Sequence, residues 1–416
     1  MNQKEYKTKA NSRRSFLGHL TAGMTAATFL PVLAHGHGKR ILAKEFISNT
    51  DKNEFIYSSV TDLVKQVGNK NLSSLEVVKA YIDKIEQVNY QLNAVVMESF
   101  DRALEEAKKA DVMRSKGNST GKLHGIPMTI KDSFMTKGVV STGGTIGKMN
   151  YIPTEDATVV ARLREQGAIL LGKTNTPEFT LIGGVLGVNS TNNIIYGISK
   201  NPYDLNRTTS GSSGGAGAIV AAGGSPFDIG TDWGGSVRGP SDTNGISGLK
   251  PTSVRFPRTG HIVGYGGLFD SWQQPGPMAR YVKDLDYLTP IMAGPDFKDA
   301  AVVPMPWPDY KEVDLSKLKV AFFPENGVAK TSEETIGTVK KAAKWMEEVS
   351  MDVIEDCPKE LLIELGTIRR ELIIGDGWQW LKRATERVGS KTYGASLRKR
   401  LEVAGKPITT AEYTKL

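Results

Sequence analysis

A single cysteine, Cys357, among 416 residues excludes an internal disulfide framework and any cysteine-based zinc site. Histidine is nearly as scarce. There are five, two of them in the run His35-Gly36-His37, which leaves little for a histidine metal cage. That run reads as solvated linker rather than a metal site. Long apolar stretches are also missing. The best candidate, Leu20 to Ala34, is broken by Gly23 and Pro31 and is too short for a stable membrane span. Charge of one sign is not concentrated on the body of the chain. The formal net charge is +8, and Lys4, Lys7, Lys9, Arg13 and Arg14 against Glu5 supply half of it. The remainder is a mild surplus over a long chain, unlike the clustered basic face of a nucleic-acid binder, so no nucleic-acid partner is expected.

The composition that is present is that of a folded protein. Hydrophobic residues make up 39% and charged residues 24%, with ample length for a core. Residues Ser12-Arg13-Arg14-Ser15-Phe16-Leu17 follow a basic region and precede the interrupted apolar stretch. Paired arginines in this setting resemble a twin-arginine export signal. The expectation is a signal peptide over 1–34, with small-residue cleavage logic near Val32-Leu33-Ala34. A flexible lead-in over 35–55 and one domain over 56–416 would follow. The twin-arginine export machinery is then an expected partner, and the bacterial periplasm or extracellular space the expected location.

Helix and strand signals alternate along the rest. Ser73 and Glu76 form a capping-box pattern ahead of Leu75, Val78, Ile82 and Ile85, which share one helical face. A second helix is expected from Phe100 to about Asp111, and a third over Thr158 to Gln166. Ile126 to Ile130 reads as a short buried strand that Pro127 pushes toward a sheet edge. Ala168 to Leu171, Phe227 to Gly230 and Val320 to Phe323 read as further strands. Thr331 and Glu334 cap a helix running to about Val349, and 361–416 is mostly helical. This alternation predicts an α/β core. The string Gly167-Ala168-Ile169-Leu170-Leu171-Gly172-Lys173-Thr174 fits a phosphate-loop pattern. Its middle residues read as a strand, and Pro177 opposes an immediate helix, so nucleotide binding there is discarded.

Glycine is the unusual presence: 44 residues, clustered. Residues 208–217 read Thr-Thr-Ser-Gly-Ser-Ser-Gly-Gly-Ala-Gly, which alone would pass for a flexible linker. They lead instead into the packing residues Ala218 to Ala222. Then come Gly230-Thr231-Asp232-Trp233-Gly234-Gly235-Ser236-Val237-Arg238 and Gly248-Leu249-Lys250-Pro251-Thr252. Upstream stands Gly125-Ile126-Pro127-Met128-Thr129-Ile130-Lys131-Asp132. With Asn201 to Asp204 and Gly276 to Arg280, this constellation resembles the amidase-signature family of serine hydrolases from about residue 57 to about residue 290.

The resemblance implies an α/β/α sandwich, a central mixed sheet covered by helices. It also implies roles, position by position. Ser236 matches the nucleophile, Lys131 the base, and Ser212 a bridging serine preceded by a cis peptide bond after Gly211. The backbone N–H groups of Trp233, Gly234, Gly235 and Ser236 match an oxyanion hole. Asp232 and Arg238 match a structural pair, and Gly211 and Ser213 support the site. No cofactor and no metal is implied, and the partner is a small-molecule amide.

Physical chemistry is consistent with these residue types. A serine hydroxyl is a poor nucleophile until its proton is taken. Lysine can take it only when neutral, which requires burial to lower a pKa that is normally about 10.4. A hydroxyl between them can donate and accept. Backbone amides at glycines can point at a developing oxyanion, each worth about 3 kcal/mol. The rival enzyme is a Ser-His-Asp hydrolase using His124 or His261, but no G-x-S-x-G elbow surrounds Ser236.

Three features depart from the family pattern. Trp233 stands where a small side chain is usual. Ser241-Asp242-Thr243-Asn244 replaces a more apolar stretch. The chain stops at Leu416, roughly a hundred residues short on this reading, so its C-terminal part is expected to be absent. The expected function is cleavage of a carboxamide to a carboxylate plus ammonia or amine, through an acyl-serine. The alternatives are a glutamine-dependent amidotransferase of the A type and an inactive, truncated family member.

Overall fold

The computed structural model describes residues 54–181, 190–262, 264, 272–350 and 352–415. The proposed export signal, and all but the last two residues of the lead-in, lie outside the described residues. Glu54–Tyr57 opens the described chain as a 3₁₀ turn, with Ile56 buried. Helices α1 (Val60–Gly68) and α2 (Ser74–Leu92) follow. The Ser73 hydroxyl accepts from the Glu76 N–H and the Glu76 carboxylate accepts from the Ser73 N–H, so the capping box forms as expected. Val77, Tyr81, Ile85, Val88 and Leu92 then bury one face.

Six strands build the central sheet: β1 (Val95–Glu98), β2 (Pro127–Lys131), β3 (Ile169–Thr174), β4 (Phe227–Asp232), β5 (Ser247–Gly248) and β6 (Gln274–Ala279), in the order β1-β3-β2-β4-β6-β5. The three middle strands β3, β2 and β4 run parallel, and β1, β6 and β5 add antiparallel pairs. The sheet is therefore mixed, as expected. β2 is central rather than near an edge. Pro127 is its first residue, where no ladder N–H is required, so it terminates the pairing instead of breaking it. β3 occupies the discarded phosphate-loop string and is wholly buried.

The second and third expected helices are α3 (Phe100–Ser115) and α4 (Thr158–Glu165). Helix α5 (Gly214–Ala221) is buried along its whole length. It fits because Gly214, Gly215 and Gly217 leave its first turn bare except for the Ala216 methyl. A Cβ on Gly215 would sit 2.4 Å from the Asn175 nitrogen and 2.7 Å from the Ala94 carbonyl oxygen. Helices α6 (Arg238–Thr243) and α7 (Val282–Met292) complete this half. The C-terminal region carries a separate parallel pair, β7 (Lys319–Phe322) and β8 (Asp352–Glu355), flanking α8 (Glu333–Glu347). Ser332, not Thr331, caps α8. Helices α9 (Lys359–Ile374), α10 (Gln379–Arg387) and α11 (Ala395–Glu402) follow. Cys357 is half-buried.

The close approach of α5 gives a stability test. Gly215→Ala should lower stability by about 1–3 kcal/mol through backbone overpacking, although alanine is the better helix former. Gly337→Ala, in the open middle of α8, should raise it by about 0.5–1 kcal/mol. Urea unfolding of both variants checks this; two equal shifts of the same sign would refute the packing argument.

Candidate active site

Parallel strands β2 and β4 end at the same edge of the sheet, and their last residues supply the site. Lys131 is the final residue of β2 and is fully buried. Thr231 and Asp232 end β4, and the glycine-rich turn to Ser236 follows directly. Ser212 and Ser213 lie immediately before α5. This is the position where parallel α/β sheets generally place ligands, at the carboxyl ends of the strands.

Three hydroxyls surround the Lys131 amine. Nζ lies 2.7 Å from Ser212 Oγ, 3.0 Å from Ser213 Oγ and 2.8 Å from Thr231 Oγ1. Burial drives its pKa from 10.5 down to about 7, against the opposing pull of the Asp232 and Asp228 carboxylates. A neutral amine has two N–H donors and one lone pair. Three hydroxyl neighbours suit it: two accept, and one donates its proton to the lone pair. Ser212 is the nearest, and the Gly211–Ser212 peptide is cis, as the resemblance implies.

Ser236 is held to this cluster through the main chain. The Ser213 N–H donates to the Ser236 carbonyl at 3.1 Å. Ser236 itself is half-buried, whereas Ser212 is buried, so the outermost serine is the one a substrate can reach. No hydrogen bond from Ser236 Oγ to another side chain occurs among the described residues. Such contacts commonly tighten only once substrate is bound.

Asp232 organises the turn. Arg238 grips its carboxylate with two hydrogen bonds of 3.0 Å, and the backbone N–H groups of Gly235, Val237 and Arg238 donate to it at 2.8, 3.1 and 3.3 Å. Burial opposes its ionisation, but these donors outweigh burial and hold the carboxyl below the usual range. This corrects one expectation. The Gly235 N–H is committed to Asp232, so it is not a free oxyanion donor in this conformation; its φ of +117° turns the amide inward. The Gly234 and Ser236 N–H groups have no acceptor among the described residues. Trp233 is half-buried, and its ring lies 6.3 Å from that of Trp272, forming a wall beside the turn.

Histidine takes no such place. Both ring nitrogens of His124 are engaged, by Thr120 and by the Ala110 carbonyl. His261 is bonded to Ser133 and Gln273 and meets Phe134 edge-on. Among the described residues there is no group of three or more His, Cys, Asp or Glu side chains that could hold a metal. No helix of the described residues is long and apolar enough to cross a membrane.

Two buried groups escaped the reading of the sequence. Asp228 pairs in register with Thr129, two residues before Lys131 on the same strand face, and accepts from Thr174 Oγ1 at 3.0 Å. Its Oδ1 and the Thr129 hydroxyl are buried without a hydrogen-bond partner among the described residues. Burial raises its pKa to about 6. Lys173 is a second buried amine, on the opposite face of the sheet from Lys131. It donates to Phe134 O, Thr136 Oγ1 and Ser141 Oγ, and burial lowers its pKa to about 8. The strand alternation of β4 could have revealed Asp228, because Asp228, Gly230 and Asp232 share one face.

Known proteins resemble the chain over most of its length. The pattern of the Amidase family matches residues 76–402. The chain belongs to the amidase family. The A component of glutamyl-tRNA(Gln) amidotransferase from Moorella thermoacetica is 37% identical over 299 residues, 71% of this chain and 59% of the relative. An acylamidase of Rhodococcus erythropolis is 36% identical over 304 residues, 72% of this chain and 62% of the relative. The chain thus spans about three fifths of the length of these curated amidase-family relatives. Among solved structures, 6-aminohexanoate cyclic dimer hydrolase superposes with a TM-score of 0.72 at 26% identity, over 86% of this chain and 74% of that one. Peptide amidase from Stenotrophomonas maltophilia gives 0.70 at 26%, over 87% and 75%. Fatty acid amide hydrolase shares the fold, with a TM-score of 0.79 at 24% identity over 90% and 66%.

The field at Lys131 is testable without turnover. The Asp228 carboxylate favours the protonated amine, so Asp228→Asn should move the Lys131 titration below its starting midpoint near 7. Lysine side-chain carbon NMR on the two proteins, with Lys131→Met for assignment, reads the shift. An unmoved or raised midpoint would remove Asp228 from the electrostatics of the site.

Proposed function

We propose that this chain hydrolyses carboxamides through an acyl-serine intermediate, with Ser236 as nucleophile, Ser212 as relay and Lys131 as base. The observation that carries the reading is the buried Lys131 amine among three hydroxyls, one of them the serine that follows the cis peptide. Ser236 Oγ attacks the amide carbon. Its proton passes to Ser212 Oγ as the Ser212 proton passes to the Lys131 lone pair. The tetrahedral oxyanion is met by backbone N–H groups of Gly234 and Ser236, with Trp233 as a further candidate. The proton then returns through Ser212 to the departing nitrogen, which leaves as ammonia or amine. Water attacks the acyl-serine by the same route and releases the carboxylate. Asp232 and Arg238 hold the turn, and Ser213 ties it to the base.

A second reading is supported by the 37% identity to the amidotransferase A component, whose name ties it to glutamyl-tRNA(Gln). In that case the amide is glutamine, and the ammonia is passed to a second protein. The pair Arg13-Arg14 favours the first reading, because we further propose export through the twin-arginine route, which would separate the chain from tRNA charging. Replacing Arg13 and Arg14 together by lysine should keep the full-length chain inside the cell; unchanged fractionation would refute export. A folded chain that neither hydrolyses amides nor reacts with a fluorophosphonate would establish the inactive reading.

Ser236→Ala should abolish amide turnover and fluorophosphonate labelling while leaving the fold intact. For the native chain, kcat/KM should rise with pH through one ionisation near 7, because Lys131 is protonated and inert below that value and neutral above it. A profile flat across neutrality would dismiss Lys131 as the base.

A further inference from the structure

The glycine turn that precedes Ser236 has an arginine pressed against it from a distant part of the chain. Arg369, on α9, places Nη2 2.5 Å from the point where a Cβ of Gly234 would stand. Only a residue without a side chain admits a guanidinium so close. Gly234 and Arg369 are both exposed, so solvent or substrate can reach the pair. Among the described residues Arg369 has no carboxylate partner and no hydrogen bond.

The nearest carboxylate on the turn is not available to it. Asp232 is fully buried and is saturated by the Arg238 guanidinium and three backbone N–H groups. Lys250 adds another cation within electrostatic range of Asp232 and Arg238, its amine donating to the Pro251 carbonyl at 3.0 Å. Arg369 beside Gly234 and Lys250 within range of Asp232 thus add positive charge near a turn whose buried carboxylate is already paired with Arg238. An arginine fork matches a carboxylate bidentately, and the bare Gly234 backbone leaves room for one beside Arg369.

We propose that Arg369 is a specificity residue that receives an anionic group of the substrate, so that the preferred amides are those carrying a carboxylate on the acyl side. This rests on the amide-hydrolase reading above. The product would be a dicarboxylate, formed from one water and the monoamide of a dicarboxylic acid, with ammonia released.

Matched pairs test it in the full chain: succinamate against butyramide, glutaramate against valeramide, and adipamate against hexanamide. In each pair a carboxylate replaces a methyl group. Ammonia release should favour the anion in at least one pair by about 10-fold or more in kcat/KM. Arg369→Gln should remove about 10- to 100-fold from the anion alone, chiefly in KM, and leave the neutral amide within about two-fold. Arg369→Lys should recover part of the preference, and added salt should erode it. Equal treatment of charged and neutral members, or an equal loss on both in Arg369→Gln, would overturn the proposal.

A readout without turnover separates this from failure of the hydrolase reading. Calorimetry on the Ser236→Ala protein should show tighter binding of glutaramate than of valeramide, and the difference should vanish when Arg369→Gln is added. Equal affinities there would refute the anion subsite even if amides are hydrolysed. An intact preference in binding without any hydrolysis would refute the reaction and keep the subsite.

Discussion

An amine that must remain uncharged governs this architecture. On the proposed mechanism Lys131 serves as the base only because burial lowers its pKa, and that burial requires several separate segments to close on one atom. β2 delivers the side chain at its end, β4 sets Thr231 beside it, and α5 packs its glycine turn against the sheet so that Ser212 and Ser213 cover the rest. Each contact is also a hydrogen-bond partner. A buried amine without such partners would carry a large desolvation penalty with no compensation. The glycines of 214–217 are therefore part of the chemistry: side chains there would lift α5 and open the amine to solvent.

Much of this was legible in the sequence because the constraint falls on small residues and on order. The block from Thr208 to Gly217, the turn from Asp232 to Arg238 and the lysine ending β2 each have a bland reading alone. Together they point to the fold, and the structure brings Lys131 and Ser212 into contact. The capping box at Ser73 and the parallel core follow from local patterns that tertiary structure did not override. Other parts escaped because they depend on partners far away in the chain. Thr231 looks like an ordinary strand residue until β4 is laid beside β2. Asp228 looks like a surface charge until both faces of the sheet are covered. The Gly235 amide looks like an oxyanion donor until the Asp232 carboxylate is seen to claim it. Pro127 suggests an edge because proline cannot donate, but its place as the first strand residue makes the missing donor irrelevant.

Buried amines on the two faces of the sheet illustrate how similar burial leads to different outcomes. Lys173 is fixed by a carbonyl and two hydroxyls, beside the buried Asp132. Its surroundings suit a donor that stays put. Lys131 meets hydroxyls alone, and a hydroxyl can return a proton where a carbonyl cannot. Both amines are depressed by burial, and of the two only Lys131 lies against Ser212, the serine of the proposed relay. On the proposed mechanism, what separates the two lysines is the serine beside Lys131 rather than the displaced pKa.

The same logic explains why Asp232 is so heavily bound. An ionised carboxylate in that position favours the protonated form of Lys131 and works against the base. Arg238 bonds both oxygens of that carboxylate and three backbone N–H groups donate to it, so its charge is shared across the turn they shape. One ion pair thus fixes the turn that carries Ser236 and engages the acid whose charge reaches Lys131.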